Sequence, residues 1–439
     1  MDLYYYIETW GCQMNEHDSE ILGGMLEALG YRPTGNAEKA DVMILNTCCV
    51  REKAENKVLG YLGELKRLKN VNPCLVIGVC GCMAQRAGMA EKIAQRAPHV
   101  DLIFGTHNLH RLPQLLAQAR ESSSTLVEIW DQEKEIAETL PVKRSSQIKA
   151  YVTITYGCNN FCSYCIVPYV RGRERSRWKD DILEEVRELA GEGCKEIMLL
   201  GQNVNSYGKD LPEPIDFADL LQSLEQVPGL ERIRYMTSHP RDFDDKLIAT
   251  IANSAKVCEH FHLPVQAGSN AVLERMNRGY SRETFLDLVT KVRRFVPNAS
   301  ITTDIIVGFP GESEEDFQAT LDLVERVRFD TAYTFLYSPR PGTPAAAWDQ
   351  VEEAVKKERF QRLLALQNRI SWEINQELID KREEILIEGV SKTDEKRLSG
   401  RTRSNKVVIV DGSEDLIGRL VPVRILEAQT WFLQGEIIS

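Results

Sequence analysis

Three cysteines fall within one short run of this chain, Cys158-Asn159-Asn160-Phe161-Cys162-Ser163-Tyr164-Cys165. Thiolates are soft ligands, and soft ligands select iron–sulfur clusters or zinc. Zinc favours C-x2-C pairs and four ligands in all, whereas this triple is unevenly spaced and has no fourth Cys or His nearby. A four-iron cluster held by three thiolates keeps one iron without a protein ligand, which is what a reactive cluster requires. The competing reading is a structural zinc or an inert core segment. A second constellation lies upstream: Cys12, then Cys48 beside Cys49, then Cys80-Gly81-Cys82. A single free cysteine is usually a small buried hydrophobe. Three that each follow an apolar run at equivalent places point instead to shared ligation. Spacing leaves open whether Cys80 or Cys82, and Cys48 or Cys49, takes part.

Such residues need elements to bring them together. The first third alternates strand candidates at 4–7, 42–46, 74–79 and 102–104 with helix candidates at 19–29, 52–68 and 84–97. That alternation is the mark of a doubly wound, Rossmann-like α/β domain, assigned to residues 2–117. In open parallel sheets ligands bind beyond the carboxyl ends of the strands, so Cys12, one of Cys48 and Cys49, and one of Cys80 and Cys82 would meet at one rim. Residues 118–143, rich in Ser and charge, read as a linker with at most one strand.

From 144 to 374 six strand candidates (151–155, 196–200, 232–237, 259–265, 301–307 and 331–337) alternate with helices such as 180–190 and 281–295. Ser313 to Asp316 reads as a capping box, and a long helical pattern at 351–379 follows. Six β/α units predict a partial (βα)6 TIM-like barrel with its active site at the strands' carboxyl ends, where the Cys158 loop emerges. Residues 377–439 change to short Ile- and Val-rich runs at 384–389, 406–410, 420–426 and 431–437, a small antiparallel β-barrel.

Composition narrows the function classes. Sixty-five acidic residues against 54 Lys and Arg give a net charge of −11, which excludes a protein-wide basic coat for nucleic acid. Any RNA contact must be local. Eleven cysteines are an odd count for a disulfide framework, and the N-terminal run lacks the basic start and apolar stretch of a signal peptide. No apolar run reaches the ~18 residues of a membrane span. A cytoplasmic chain with reduced thiols and no membrane partner is expected.

The Cys158 loop resembles the C-x3-C-x2-C signature of the radical S-adenosylmethionine superfamily, with Tyr164 as the aromatic before the last cysteine. Gly11-Cys12-Gln13-Met14-Asn15, Asp18-Ser19-Glu20, Asn46-Thr47-Cys48 and Gly81-Cys82 with Ala84-Gln85 resemble the N-terminal domain of the methylthiotransferase family. So do Arg171-Gly172-Arg173-Glu174, the segment 263–269 and Gly308-Phe309-Pro310-Gly311-Glu312 in the second domain. The terminal barrel, with Gly400-Arg401-Thr402-Arg403-Ser404-Asn405, is similar to the RNA-binding TRAM module.

The resemblance implies two 4Fe-4S clusters, one on Cys158, Cys162 and Cys165 and an auxiliary one on Cys12, Cys48 and Cys82, together with S-adenosylmethionine. It implies an enzyme that forms a 5′-deoxyadenosyl radical and adds a methylthio group to a C–H carbon. Cys48-Cys49-Val50-Arg51-Glu52-Lys53-Ala54 resembles the branch acting at C2 of N6-isopentenyladenosine 37 in the tRNA anticodon loop. Branches acting on threonylcarbamoyladenosine or on a ribosomal-protein aspartate are the alternatives. A monomer served by a sulfur donor and by a reductant such as flavodoxin or ferredoxin is implied as well. An iron–sulfur electron carrier that binds RNA would leave six β/α units and the open iron sites without a purpose.

Contacts follow from placement. Tyr164, Gln202, Asn203, Ser238, Gln266 and Asp304 are candidates to hold S-adenosylmethionine. Arg171, Arg173 and Arg175, with Arg177, crowd the loop after the cysteines, and Lys396, Arg397, Arg401 and Arg403 form a basic patch with Lys392 and Lys406. Both are expected to bind RNA phosphates. The alternative for the first group is a salt-bridge network with Glu174 and Asp180. His260 and His262 read as core or rim residues.

Overall fold

Apolar runs buried on both faces become the central strands of a parallel sheet. In the computed structural model, which describes residues 2–49, 52–131, 136–392 and 394–438, the first such sheet holds six strands in the order β2-β1-β3-β4-β5-β6. They are β1 (Leu3–Thr9), β2 (Tyr31–Pro33), β3 (Val42–Thr47), β4 (Val76–Gly81), β5 (Leu102–Phe104) and β6 (Leu126–Glu128). Every pairing is parallel. The two central strands β3 and β4 are buried along their whole length, whereas β2 and β6 are three-residue edges too short to show an apolar run. Val50 and Arg51 of the motif after Cys48, 132–135 of the expected linker, Thr393 and Ser439 lie outside the described residues.

Helix α1 (Gln13–Ala28) starts six residues before the expected 19, because Cys12 caps it from an extended conformation without a side-chain hydrogen bond. No capping residue marks that start in the sequence. Helix α2 (Glu52–Val71) follows β3. The helix expected at 84–97 is instead two, α3 (Cys82–Gln85) and α4 (Met89–Arg96), because Gly88 turns left-handed between them. Helix α5 (Leu112–Glu121) ends the unit.

Six parallel strands then build an open barrel: β7 (Lys149–Thr153), β10 (Glu196–Leu200), β11 (Arg232–Tyr235), β12 (His260–His262), β13 (Ser300–Val307) and β14 (Thr331–Leu336), with the short pair β8 (Thr155–Tyr156) and β9 (Arg175–Ser176) beyond β7. They form two three-stranded sheets, β11-β10-β7 and β12-β13-β14. Ile233 joins them, its N–H donating to Lys256 O and its carbonyl accepting from Cys258 N, both at 2.9 Å. The outer edges β7 and β14 leave a seam. Seven helices accompany the strands: α6 (Val167–Val170), α7 (Lys179–Gly191), α8 (Phe217–Glu225), α9 (Asp245–Asn253), α10 (Asn270–Arg275), α11 (Arg282–Phe295) and α12 (Glu314–Val327). Ser313 and Asp316 form the expected capping box. Alternate strand residues such as Val152, Ile197 and Ile233 pack outward on these helices, leaving Tyr151, Met198 and Arg234 for the interior.

Helix α13 (Glu353–Gln376) leads to a closed barrel of β15 (Arg382–Val390), β16 (Arg397–Thr402), β17 (Val407–Asp411), β18 (Leu420–Ala428) and β19 (Leu433–Ile437). Strand β16 was not expected, because Ser399 and Gly400 interrupt its apolar pattern. The barrel is also not wholly antiparallel, since β17 and β19 close it in parallel. It docks under the amino ends of the larger barrel's strands: Arg232 and Arg234 donate to the carbonyls of Arg401, Thr402 and Arg403 at 2.7–3.0 Å. At the other side α1 packs on β7, with Thr153 Oγ1 3.0 Å from His17 Nδ1. Among the described residues no helix is long and apolar enough to cross a membrane.

Candidate functional site

The loop that follows β8 is tied down before it reaches its cysteines. Gly157 takes φ 73°, where a Cβ would collide with the Arg173 carbonyl, so the chain can pass that close only as glycine. Cys158 N donates to Gly172 O at 3.2 Å, Ser163 N and Oγ to the carbonyls of Met276 and Arg275 at 3.1 and 2.7 Å, and Cys165 N to Cys162 O at 2.9 Å. Cys158 and Cys162 are buried and Cys165 is half-buried. Burial pushes the Cys158 thiol up and carries Cys165 to about 12, so the site favours thiols until a metal charge replaces their protons.

Arg278 completes this loop. It is 4% exposed and donates to Cys162 Sγ at 3.3 Å, to Tyr164 Oη at 3.4 Å, to Tyr280 Oη at 3.2 Å and to Pro264 O at 2.7 Å. No sequence cue marked it, because it comes from a turn more than a hundred residues downstream.

The second set assembles where the doubly wound sheet reverses direction, between β1 and β3. Cys12 follows β1, Cys48 and Cys49 follow β3, and Cys82 follows β4. Cys80 faces the opposite side of the sheet, buried in the cluster of Phe104 and Leu112, whereas Cys82 and Cys49 share the other cluster. Asn15 Oδ1 stands 3.8 Å from Cys12 Sγ and 3.9 Å from Cys82 Sγ. A hydrogen bond with Cys49, then the charge of Arg171, lower the Cys82 thiol to about 6 against the cost of burial.

Arg171 enters from the barrel domain. Its Nε donates to Cys82 Sγ at 3.2 Å, and its Nη2 to Asp18 Oδ2 at 2.6 Å and Asn15 Oδ1 at 3.1 Å. This corrects its expected role, since a side chain 5% exposed and ion-paired inside the protein offers nothing to RNA.

Among the described residues no group of three or more His, Cys, Asp or Glu closes to the spacing of a single metal ion. One thiol of each set accepts from a buried guanidinium, and soft thiolates suit an iron–sulfur cluster.

Around the carboxyl ends of the barrel strands several buried polar atoms have no hydrogen-bond partner among the described residues: Thr155 Oγ1, Gln202 Oε1, Asn203 Oδ1, Ser238 Oγ, His239 Nε2 and Tyr337 Oη. Buried polar groups are nearly always satisfied, so this set calls for a polar ligand. It includes three of the six residues expected to hold S-adenosylmethionine. Of the others, Tyr164 abuts Arg278, Gln266 takes φ 72° with its N–H on Asp304 O, and Asp304 lies 3.6 Å from His262 Nε2. His260 and His262 both hydrogen-bond Thr302 Oγ1 at 3.0 Å as buried interior residues. Asn203 also lines a polar cavity of about 150 Å³ with Asn160, Glu174, Lys209 and Asp242, where burial raises Glu174 to about 7.

A second cavity, of about 260 Å³, opens at the seam. Tyr151 and Tyr333 line it from the two edge strands, Met198 and Met236 from within, and Gln13 and Arg401 from the flanking domains. The two-residue alternation of the strands carried this information, but no expectation named these side chains.

The other basic residues divide. Arg173 is exposed with its guanidinium 4.5 Å from the Phe161 ring, and Arg175 lies 5.9 Å from that of Tyr156. Arg177 pairs with Glu138 and Glu185, in place of the expected Glu174 and Asp180. Lys396 is exposed, Arg397 pairs with Asp411, and Arg401 is half-buried against Glu388. Arg403 is a second correction: it holds Glu259 and the carbonyls of Ala255 and Val257, so it fastens one barrel to the other. Lys406 does the same through Asp330.

Residues 4–105 match a family described as uncharacterized protein family UPF0004, 152–324 the radical SAM superfamily and 378–438 the TRAM domain. Over 99% of its length the chain is 58% identical to the tRNA-2-methylthio-N(6)-dimethylallyladenosine synthase of Desulforamulus reducens, covering 95% of that protein. The enzyme of the same name from Carboxydothermus hydrogenoformans is 57% identical, with 99% of each chain covered. Among solved structures, the radical S-adenosylmethionine methyltransferase TsrM of Kitasatospora setae superposes with a TM-score of 0.57 over 79% of this chain and 75% of that one, at 14% identity. The cobalamin-dependent radical enzyme OxsB gives 0.52 over 84% of this chain and 56% of its own, also at 14%. These two likenesses speak for the fold.

Proposed function

The chain belongs to the family of tRNA-2-methylthio-N(6)-dimethylallyladenosine synthases, and from that premise we propose which of its residues do the work. It is a radical S-adenosylmethionine methylthiotransferase that converts N6-isopentenyladenosine of tRNA, at position 37 of the anticodon loop, to its 2-methylthio derivative. Cys158, Cys162 and Cys165 hold one 4Fe-4S cluster, and Cys12, Cys48 and Cys82 hold the other. The observation that carries this assignment is the pair of separate cysteine sets, each with one buried arginine donating to a sulfur.

When bound, the clusters and S-adenosylmethionine supply hydrogen abstraction at C2 and the sulfur and methyl that replace the hydrogen. The protein's part is to position and to shield. Tyr164, Gln202, Asn203, Ser238, Gln266 and Asp304 take S-adenosylmethionine, whose polar groups satisfy the atoms left without partners at the strand ends. The base enters at the seam. Tyr151 and Tyr333 offer ring faces for a splayed, unpaired base, and Met198 and Met236 offer apolar surface to its five-carbon substituent. Tyr151 is held by Glu16 on α1 at 2.7 Å, which fixes that wall against the auxiliary site.

Arg173, Arg175, Lys396, Arg397 and Arg401 remain for RNA phosphates. An external one-electron reductant and a sulfur donor serve the enzyme, which acts in the cytoplasm as a monomer. The test is mass spectrometry of tRNA from a strain deleted for this gene. Isopentenyladenosine lacking its methylthio group, restored by the intact gene, is the expected profile; an unchanged profile overturns the substrate assignment.

A further inference from the structure

The two buried arginines look alike until their counter-charges are traced. Arg171 meets a sulfur and also a carboxylate, Asp18, 2.6 Å away and 2% exposed. Among the described residues Arg278 has no carboxylate partner. Its partners are the Cys162 sulfur, the phenol oxygens of Tyr164 and Tyr280, and the carbonyl of Pro264, and its guanidinium also lies 5.4 Å from the Tyr280 ring. A guanidinium remains charged in any protein environment, and an isolated buried charge is costly unless an opposite charge faces it.

The anion that balances Arg278 is therefore the thiolate cluster itself. Resting on the assignment of Cys158, Cys162 and Cys165 as ligands, we infer that Arg278 is the built-in counter-cation of the barrel-domain cluster and raises its reduction potential relative to a neutral residue at that place. At the auxiliary site the charge of Arg171 is shared between the Cys82 sulfur and the Asp18 carboxylate.

The step concerned is a one-electron reduction. An electron passes from an external reductant to the cluster, no covalent bond forms or breaks, and the cluster becomes one charge more negative. A cation and an N–H on a ligand sulfur both favour that more negative state, the more so in a buried, poorly screened site. Tyr164 and Tyr280 fix the guanidinium so that little reorganisation accompanies the charge change.

The test is an anaerobic redox titration, read by electron paramagnetic resonance, of the reconstituted full-length chain carrying Cys12→Ala, Cys48→Ala and Cys82→Ala, which isolates the barrel-domain cluster. No S-adenosylmethionine is added, so a role in binding it does not enter. Adding Arg278→Met should lower the reduced-to-oxidised ratio about tenfold at a fixed potential, a shift of about 59 mV for one electron. Arg278→Lys should restore most of it. If Arg278→Met sheds iron, Arg278→Gln, which keeps N–H donors but no charge, should show a smaller shift in the same downward direction. Titration of these variants at the parent's potential overturns the inference. A parent chain that binds no cluster overturns the ligand assignment instead.

Discussion

Replacing Arg171 by Met tests how the two cysteine sites are held together. Arg171→Met keeps an unbranched apolar stem in place and removes the guanidinium, leaving Asp18 buried at 2% exposure without the cation that faces it. Breaking a buried ion pair from one side costs about 3–5 kcal/mol, because the stranded charge pays its desolvation without compensation. The loss falls where the pair sits, between α1 and the Cys82 turn on one side and the loop after Cys165 on the other. At 1.4 kcal/mol per factor of ten, amide exchange in α1 should accelerate roughly a hundredfold to a few thousandfold. Hydrogen–deuterium exchange on the cluster-free chain reads this without interference from iron. The double variant Arg171→Met, Asp18→Leu should recover most of the protection, since an apolar pair of similar volume often matches a buried ion pair. Protection within threefold of wild type in the single variant refutes the reasoning, as does a double variant no better than the single.

Three further outcomes follow from the same geometry. Cys82→Ala should leave about half the iron after reconstitution while Cys80→Ala keeps nearly all of it, because Cys80 lies in the hydrophobic cluster on the other face of the sheet; iron counting decides. Glu174, raised from 4.5 to about 7 by burial, holds its proton more tightly when folded, so its contribution to stability is present below pH 4.5 and is lost as pH rises to about 7. Glu174→Gln should flatten the fall of melting temperature across that window; an unchanged slope counts against the burial argument. Lys396→Ala should reduce the salt dependence of tRNA binding by about one unit of slope, whereas Arg403→Ala should lower thermal stability through its lost grip on Glu259; the reverse pattern in binding isotherms and melts would exchange their roles.

The elements that carry chemistry were readable wherever period and length were clear. The four strand candidates of the first domain, the six barrel strands and the Ser313 capping box all stand close to their expected places. What escaped had weak local signals. The edge strand β2 has three residues, β16 carries Ser399 and Gly400, and α1 starts at a cysteine with no capping side chain. At the site, spacing showed that cysteines would converge but not which of Cys80 and Cys82 faces the rim, because the side of a strand's end depends on how the following turn leaves it. Arg171 and Arg403 misled for a shared reason. An arginine in a basic run reads as solvent-facing, and only the fold reveals Asp18 and Glu259 waiting across a domain boundary. Arg278 was invisible because its partner lies 116 residues away in sequence.

The central claim is that one chain holds two three-cysteine clusters and uses S-adenosylmethionine reductively. Anaerobic reconstitution of the full-length protein, with iron counting and chromatography of the nucleoside products, tests it most directly. The account predicts about eight irons per chain, with 5′-deoxyadenosine formed on adding reductant and S-adenosylmethionine and abolished by Cys162→Ala. About four irons in the wild-type chain, or no 5′-deoxyadenosine from it, would contradict the account.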